Sequence, residues 1–223
     1  MLLAVDTSTR WVGLALYDGA QVISEMIWQS QNHHTVEVAP AIDGILSRSG
    51  VQRLQLEALA VALGPGSFTS LRIGLGLVKG MALALHIPVI GIPTLDFLAY
   101  SQQPMDIPMA AVLQAGRGRL GVAWYTFTEN GNWTAQGEPE VLHADELSQK
   151  IRKPTLVVGE LSQDERQLLA RKRKNVILAS AAQSLRRPGY LAEMAWNRWQ
   201  GGFQDDPITL SPYYLHVAEP IPG

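Results

Sequence analysis

The stretch Ala58–Leu85, ALAVALGPGSFTSLRIGLGLVKGMALAL, decides how the rest of the chain is read. It opens on an apolar run of strand length, Ala58–Leu63, which Gly64-Pro65-Gly66 stops. Two glycines around a proline of fixed φ permit a sharp turn or a close backbone approach. Ser67, Thr69 and Ser70 can each cap a helix that follows. In that helix Arg72 and Lys79 are the only charges before His86, and their spacing puts them on one edge. Leu71, Leu75, Val78, Ala82 and Leu85 form one apolar stripe, and Ile73, Leu77, Met81 and Ala84 a second. A helix apolar on nearly all sides is expected to be buried on most of them. Gly76, Gly80 and Ala84 stand at i, i+4 and i+8 beside the charged edge. Each glycine costs about 1 kcal/mol against alanine in a helix interior. Two in line therefore point to a neighbouring backbone packed close: a strand of the same chain, a helix of another chain, or both.

Composition narrows the class. The 223 residues suffice for one large or two small domains, and a hydrophobic share of 47% supports a full core. Charged residues make up 17%, below the usual quarter, which agrees with a surface partly covered by a partner. A net charge of −2 gives no global attraction to nucleic acid or membrane. The absence of cysteine excludes disulfide frameworks, cysteine nucleophiles and cysteine–metal sites. Met1-Leu2-Leu3 leads into a strand with Asp6 rather than a signal segment, and Arg72 and Lys79 interrupt the longest apolar run. A soluble cytoplasmic protein is expected, with no membrane partner.

Outward from the opening stretch, Leu2–Val5 is a short strand ending in the polar turn Asp6-Thr7-Ser8-Thr9-Arg10. Trp11–Tyr17 and Gln21–Trp28 follow as strands, joined by the hairpin signal Asp18-Gly19. Val36–Ser49 has a helical apolar face (Val38, Ile42, Ile45, Leu46), with Pro40 in its first turn or at a kink. Ile87–Gly91 is a strand, and a short helix starts at Pro93-Thr94. Gln102–Pro108 (QQPMDIP) is the linker candidate. Past it the pattern restarts: strands at Met109–Leu113 and Leu120–Thr128, the hairpin signal Asn130-Gly131, and a third strand within Trp133–Val141. Ala144–Ile151, Leu161–Arg171 and Gly189–Gln200 are expected helices, and Thr155–Val158 and Val176–Leu178 strands. The pattern predicts an α/β protein with domains at 1–101 and 109–210 and an extended tail at 211–223.

Four groups invite chemistry. Asp6, Thr7, Ser8 and Thr9 can form a phosphate nest with a carboxylate for Mg²⁺. A hydrogen-bonded turn with Asp6 capping local N–H groups is the favoured alternative. His33-His34 with Glu37 suggests a metal, but no third ligand stands near in sequence, and a polar helix entrance is the better reading. Arg171–Lys174 (RKRK) and the basic turn with Arg117 and Arg119 can touch phosphate, though a charge run is usually a solvated end. A Walker loop and a GxSxG elbow are both absent from the sequence.

LLAVDTST at the start, His34 before a helix, LGPGSFTSLRIGLGLVKGMALAL, IPVIGIPTL and a late PYYL resemble the TsaB (YeaZ) family. The likeness is strong over Met1–Phe97 and looser beyond. It implies the actin/sugar kinase/Hsp70-like (ASKHA) fold, with two RNase H-like domains and a degenerate second one. It implies a role in making threonylcarbamoyladenosine beside the anticodon of tRNA. There TsaD transfers the group from threonylcarbamoyl-AMP, TsaB holds TsaD in a working state, and the ATPase TsaE joins them. The resemblance implies partner-binding by the helices at Val36–Ser49 and Thr69–Leu85, carried by Arg72, Gly76, Lys79, Gly80, Ala84 and His34. A homodimer through the same face is expected in the absence of partner, and tRNA is met through the complex.

The family is also described as M22 glycoprotease-like. TsaD-type proteins hold metal with a His-x-x-x-His pair, but here Val38 follows His34 and Glu37 follows His33 at that spacing. Relatives carry an Ile-Asp-Ala-Arg type turn at the start of the second domain; this chain has Leu113-Gln114-Ala115-Gly116-Arg117, without the carboxylate. No catalytic residue and no metal site are therefore expected, and no cofactor of its own, with ATP or ADP confined to a partner interface. An ATP-binding phosphotransferase or ATPase built on Asp6, an M22-type peptidase and a cell-wall binding module are the competing classes.

Overall fold

The computed structural model describes residues 1–31, 33–172 and 174–215. Contacts divide the chain into Met1–Ser101 with Arg186–Tyr213, and Gln102–Leu185 with Tyr214 and Leu215. Each unit is an α/β layer structure.

The first unit opens with β1 (Leu2–Asp6), β2 (Trp11–Tyr17) and β3 (Val22–Gln29), an antiparallel meander. Helix α1 (His34–Arg48) leads by a short 3-10 turn to β4 (Ala58–Ala62), and α2 (Phe68–Leu85) leads to β5 (Val89–Ile92). β4 pairs parallel with β1 and β5 parallel with β4, giving the order β3-β2-β1-β4-β5. Parallel neighbours need a crossover, and α1 and α2 supply it. The short α3 (Thr94–Tyr100) follows β5.

The central strands are buried on both faces, as their unbroken apolar runs require. Leu3, Val5, Leu14, Leu59 and Val61 face α1 and α2. Leu2, Ala4, Ala15, Ala58 and Ala60 face the other way. That second face is lined largely with alanines, so a helix can approach it closely. The helix is α6 (Pro188–Gln200), which lays Leu191, Ala192 and Ala195 on it. Its position corrects the expected boundary, which put residues up to 210 in the second domain. The 3.6-residue period of α6 reveals an apolar stripe but not which sheet will take it.

The second unit holds β6 (Met109–Gly116), β7 (Arg119–Phe127), β8 (Trp133–Ala135), β9 (Glu140–Leu142), α4 (Ala144–Lys150), β10 (Thr155–Gly159), α5 (Gln163–Ala170) and β11 (Val176–Leu178). The order is β11-β10-β6-β7-β8, with β9 also on β7. Three antiparallel strands followed by two parallel ones recur in the same sequence as in the first unit. The architectural repeat survives without visible sequence repetition. Residues 216–223 of the expected tail, and Arg173 of the RKRK run, lie outside the described residues.

By length and a mean hydropathy of 1.4, α2 is apolar enough to cross a membrane. Arg72 and Lys79 do not lower it below that level, contrary to the sequence-based expectation. In this fold α2 instead buries Leu71 and packs Leu75, Val78 and Ala82 against the sheet and α1.

Candidate functional site

Two features of the first unit bear on function: the strand-end turn at Asp6 and the outer face of α1 and α2.

The Asp6–Thr9 turn follows β1, at the carboxyl ends of the parallel strands, where open α/β sheets usually bind ligands. All four side chains are buried. Asp6 Oδ1 accepts the Ser8 N–H at 2.8 Å, and Oδ2 accepts the Arg186 Nε–H at 2.9 Å. Thr7 donates its hydroxyl to the Ser70 carbonyl at 2.8 Å. Ser8 and Thr94 share a hydroxyl–hydroxyl bond of 2.7 Å. Thr9 Oγ1 accepts from the Trp11 N–H (3.1 Å) and from Arg186 Nη2 (3.0 Å).

The glycine turn before α2 closes over this turn from the other side. Ser67 N–H donates to the Ser8 carbonyl at 2.7 Å, and Gly64 N–H donates to Thr94 Oγ1 at 3.0 Å. A Cβ at Gly66 would overlap the Ser8 backbone, and one at Gly74 would overlap the Thr7 side chain. The close approach inferred from Gly64-Pro65-Gly66 is therefore an approach to the chain's own backbone. The Ser8 N–H and the hydroxyls of Thr7, Ser8 and Thr9 are engaged by protein, and the carboxylate that would hold a metal is engaged by Arg186. The residues as placed do not fit a phosphate–metal pair.

His34 belongs to the same buried junction. Its ring is 2% exposed, and Nε2–H donates to the Thr9 carbonyl at 3.0 Å. This corrects its expected place on the partner face: the histidine ties the first turn of α1 to the strand-end turn. His33 is exposed and pairs only at 3.9 Å with Glu37. Glu37 accepts the Trp28 indole N–H at 3.0 Å, which holds its carboxyl below the usual range and fixes the start of α1 on β3. Among the described residues, no three His, Cys, Asp or Glu side chains gather to ligate an ion.

The outer face has the opposite character. Gly76 and Gly80 are exposed, and among the described residues a Cβ on either would meet nothing within 4 Å. Internal packing, one of the two sequence readings, does not account for them. The second apolar stripe is also less buried than expected: Ile73, Leu77 and Met81 are half-buried and Ala84 is exposed. Leu83 is 64% exposed and Phe68 53%, with the Arg72 guanidinium 3.9 Å above the Phe68 ring. Lys79 is half-buried. On the neighbouring α1, Val36 (67% exposed), Pro40, Asp43 and Ser47 follow helical spacing on the solvent side. Gly44 beside them likewise has open space. Together the two helices present a shallow, small-residue, largely apolar surface edged by Arg72 and Lys79.

In the second unit the turn after β6 carries three consecutive positive-φ residues, Gly116, Arg117 and Gly118. Gln114 donates to Glu165 at 2.7 Å.

A family model described as TsaD, tRNA N6-adenosine threonylcarbamoyltransferase, matches residues 21–183. Among curated relatives, the tRNA threonylcarbamoyladenosine biosynthesis protein TsaB of Bacillus subtilis is 29% identical over 225 residues, covering 98% of this chain and 95% of its own. The Escherichia coli protein of the same name is 32% identical over 165 residues, 71% of this chain and 70% of its own. Among solved structures, YeaZ from Pseudomonas aeruginosa superposes with a TM-score of 0.76 at 25% identity, covering 96% of this chain and 99% of that one. A ROK hexokinase from Thermus thermophilus, at TM-score 0.50 and 11% identity and covering 90% of this chain and 99% of that one, shares the fold alone.

Proposed function

The chain belongs to the TsaB (YeaZ) family, and from that membership we propose that it is a non-catalytic subunit that binds and activates TsaD in threonylcarbamoyl transfer to tRNA. The observation that carries this reading is the open space around Gly76 and Gly80 on a helix whose opposite side is core. Among the described residues nothing packs on either glycine to repay the roughly 1 kcal/mol lost at each. A partner helix does, because small residues let two helix axes approach more closely than the usual 8–10 Å. The exposed apolar side chains Leu83, Phe68 and Val36 then gain cover, and Arg72 and Lys79 set orientation at the rim.

The face suits a two-helix element of TsaD, giving a four-helix packing across the two chains. Without TsaD the same surface pairs with a second copy about a two-fold axis. TsaE and tRNA join through the assembly, and any nucleotide sits at a partner interface. The closed turn at Asp6 counts against the phosphotransferase alternative, since an enzyme of that class needs those donors free.

Hydrogen exchange on the purified chain, alone and with purified TsaD, tests the docking face. Slowed exchange confined to 34–48 and 68–85 is the expected footprint. Absence of a complex, or protection mapping only to α4 and α5, would contradict it.

A further inference from the structure

We infer that Arg186 is a built-in counter-cation that keeps the strand-end turn at Asp6 closed, and that this turn becomes a divalent-cation site once the guanidinium is removed. Asp6 is 2% exposed and Arg186 4%, so the pair is isolated from water. A buried carboxylate needs a counter-charge, and a guanidinium never loses its proton in a protein. Arg186 donates to Asp6 Oδ2 (2.9 Å), Thr9 Oγ1 (3.0 Å) and the Trp11 carbonyl (3.4 Å). Nε holds the carboxylate while Nη2 holds the hydroxyl and the carbonyl, so the guanidinium fills a space lined by oxygens, the donor type a hard divalent ion prefers.

The guanidinium is delivered by a segment fixed on its far side. Arg187 donates to Glu25 from Nε (2.9 Å) and Nη2 (2.6 Å), and the Gly189 N–H donates to the same carboxylate at 2.8 Å. Pro188 lies where a Cβ on Gly13 would be only 3.1 Å away. The turn therefore carries an acidic residue and hydroxyls, and a side chain 180 positions away in sequence closes it to metal and phosphate. This inference does not depend on the docking role and can fail without it.

The test uses the whole chain with Mn²⁺ as the probe. Wild type, Arg186→Ala and the double variant Asp6→Asn/Arg186→Ala are melted with and without millimolar Mn²⁺, and Mn²⁺ binding is followed by water-proton relaxation. Wild type is expected to bind no Mn²⁺ at this turn and to melt unchanged. Arg186→Ala should melt well below wild type, bind one Mn²⁺, and regain several degrees on adding it, since a ligand of the native state alone raises its stability. The double variant should recover part of the loss without metal and show no Mn²⁺ response. If Arg186→Ala folds only when Mn²⁺ is present, the inference is supported. It is overturned if wild type binds Mn²⁺ through Asp6, if Arg186→Ala melts like wild type, or if Mn²⁺ has no effect on Arg186→Ala while the double variant folds.

Discussion

Replacing Gly80 by tryptophan is expected to weaken binding to TsaD by at least a hundredfold, about 2.7 kcal/mol, while leaving the isolated chain as stable as before. The two halves of that expectation have separate causes. In the isolated chain a side chain at position 80 enters open space, so nothing has to move. Glycine is also the poorest ordinary residue for a helix interior, so Gly80→Ala should raise stability by up to about 1 kcal/mol. In the proposed complex the same position is where the partner's backbone would come closest, and an indole would hold the helices apart. Titration calorimetry and thermal melting on the same preparations separate the two effects. Unchanged affinity with an intact fold would remove the glycine line from the interface. A loss of both stability and affinity would mean that Gly80 serves the chain's own fold.

Gly66→Ala should act in the opposite direction and destabilise the chain by about 3 kcal/mol or more. A Cβ there lies only 2.9 Å from the Ser8 carbonyl carbon, and the obstructing atoms are backbone with no rotamer to change. Relief requires parting the two turns, which breaks the Ser67-to-Ser8 hydrogen bond and disturbs the Thr94 contacts on both sides. For a chain of this length each kcal/mol lowers Tm by roughly 2–4 °C, so a drop of roughly 6–12 °C is expected. Melting of Gly66→Ala beside Gly76→Ala compares two glycines of one motif with opposite expected signs. A Gly66→Ala protein that melts like wild type would mean the strand-end junction is looser than its distances indicate.

The contrast between these glycines marks how far sequence alone reaches. Strand, turn and helix in the opening stretch are legible because composition changes abruptly at Gly64 and a capping serine follows. The helix, read as Thr69–Leu85, begins one residue earlier, at Phe68. Asp18-Gly19 and Asn130-Gly131 are legible as hairpins because each glycine must take a positive φ. Which glycine meets the chain's own backbone and which meets open space is not legible, since spacing gives the face of a helix but not what covers it. For the same reason α6 could be recognised as a helix without revealing that the alanine-lined face of the first sheet takes it.

At the strand-end turn the sequence yields the local half. Asp6 capping Ser8 is an interaction across two residues, and the turn chemistry announces it. Arg186 binding Asp6 spans nearly the whole chain and leaves no trace in spacing or periodicity. His34 was expected on the partner face because it precedes a helix placed there. Its burial goes with the Thr9 carbonyl needing a donor, a demand visible only once α1 lies on β2 beside the strand-end turn.

The central claim is that this chain promotes the transfer reaction by docking on TsaD and performs no chemistry itself. The most direct measurement is the rate of threonylcarbamoyl transfer to tRNA by a fixed amount of TsaD as the chain is titrated in. The account predicts a rate that rises and saturates near equal stoichiometry, no product from the chain alone, and no stimulation by Gly80→Trp. Product formed by the chain without TsaD, or a TsaD rate indifferent to its presence, would contradict it.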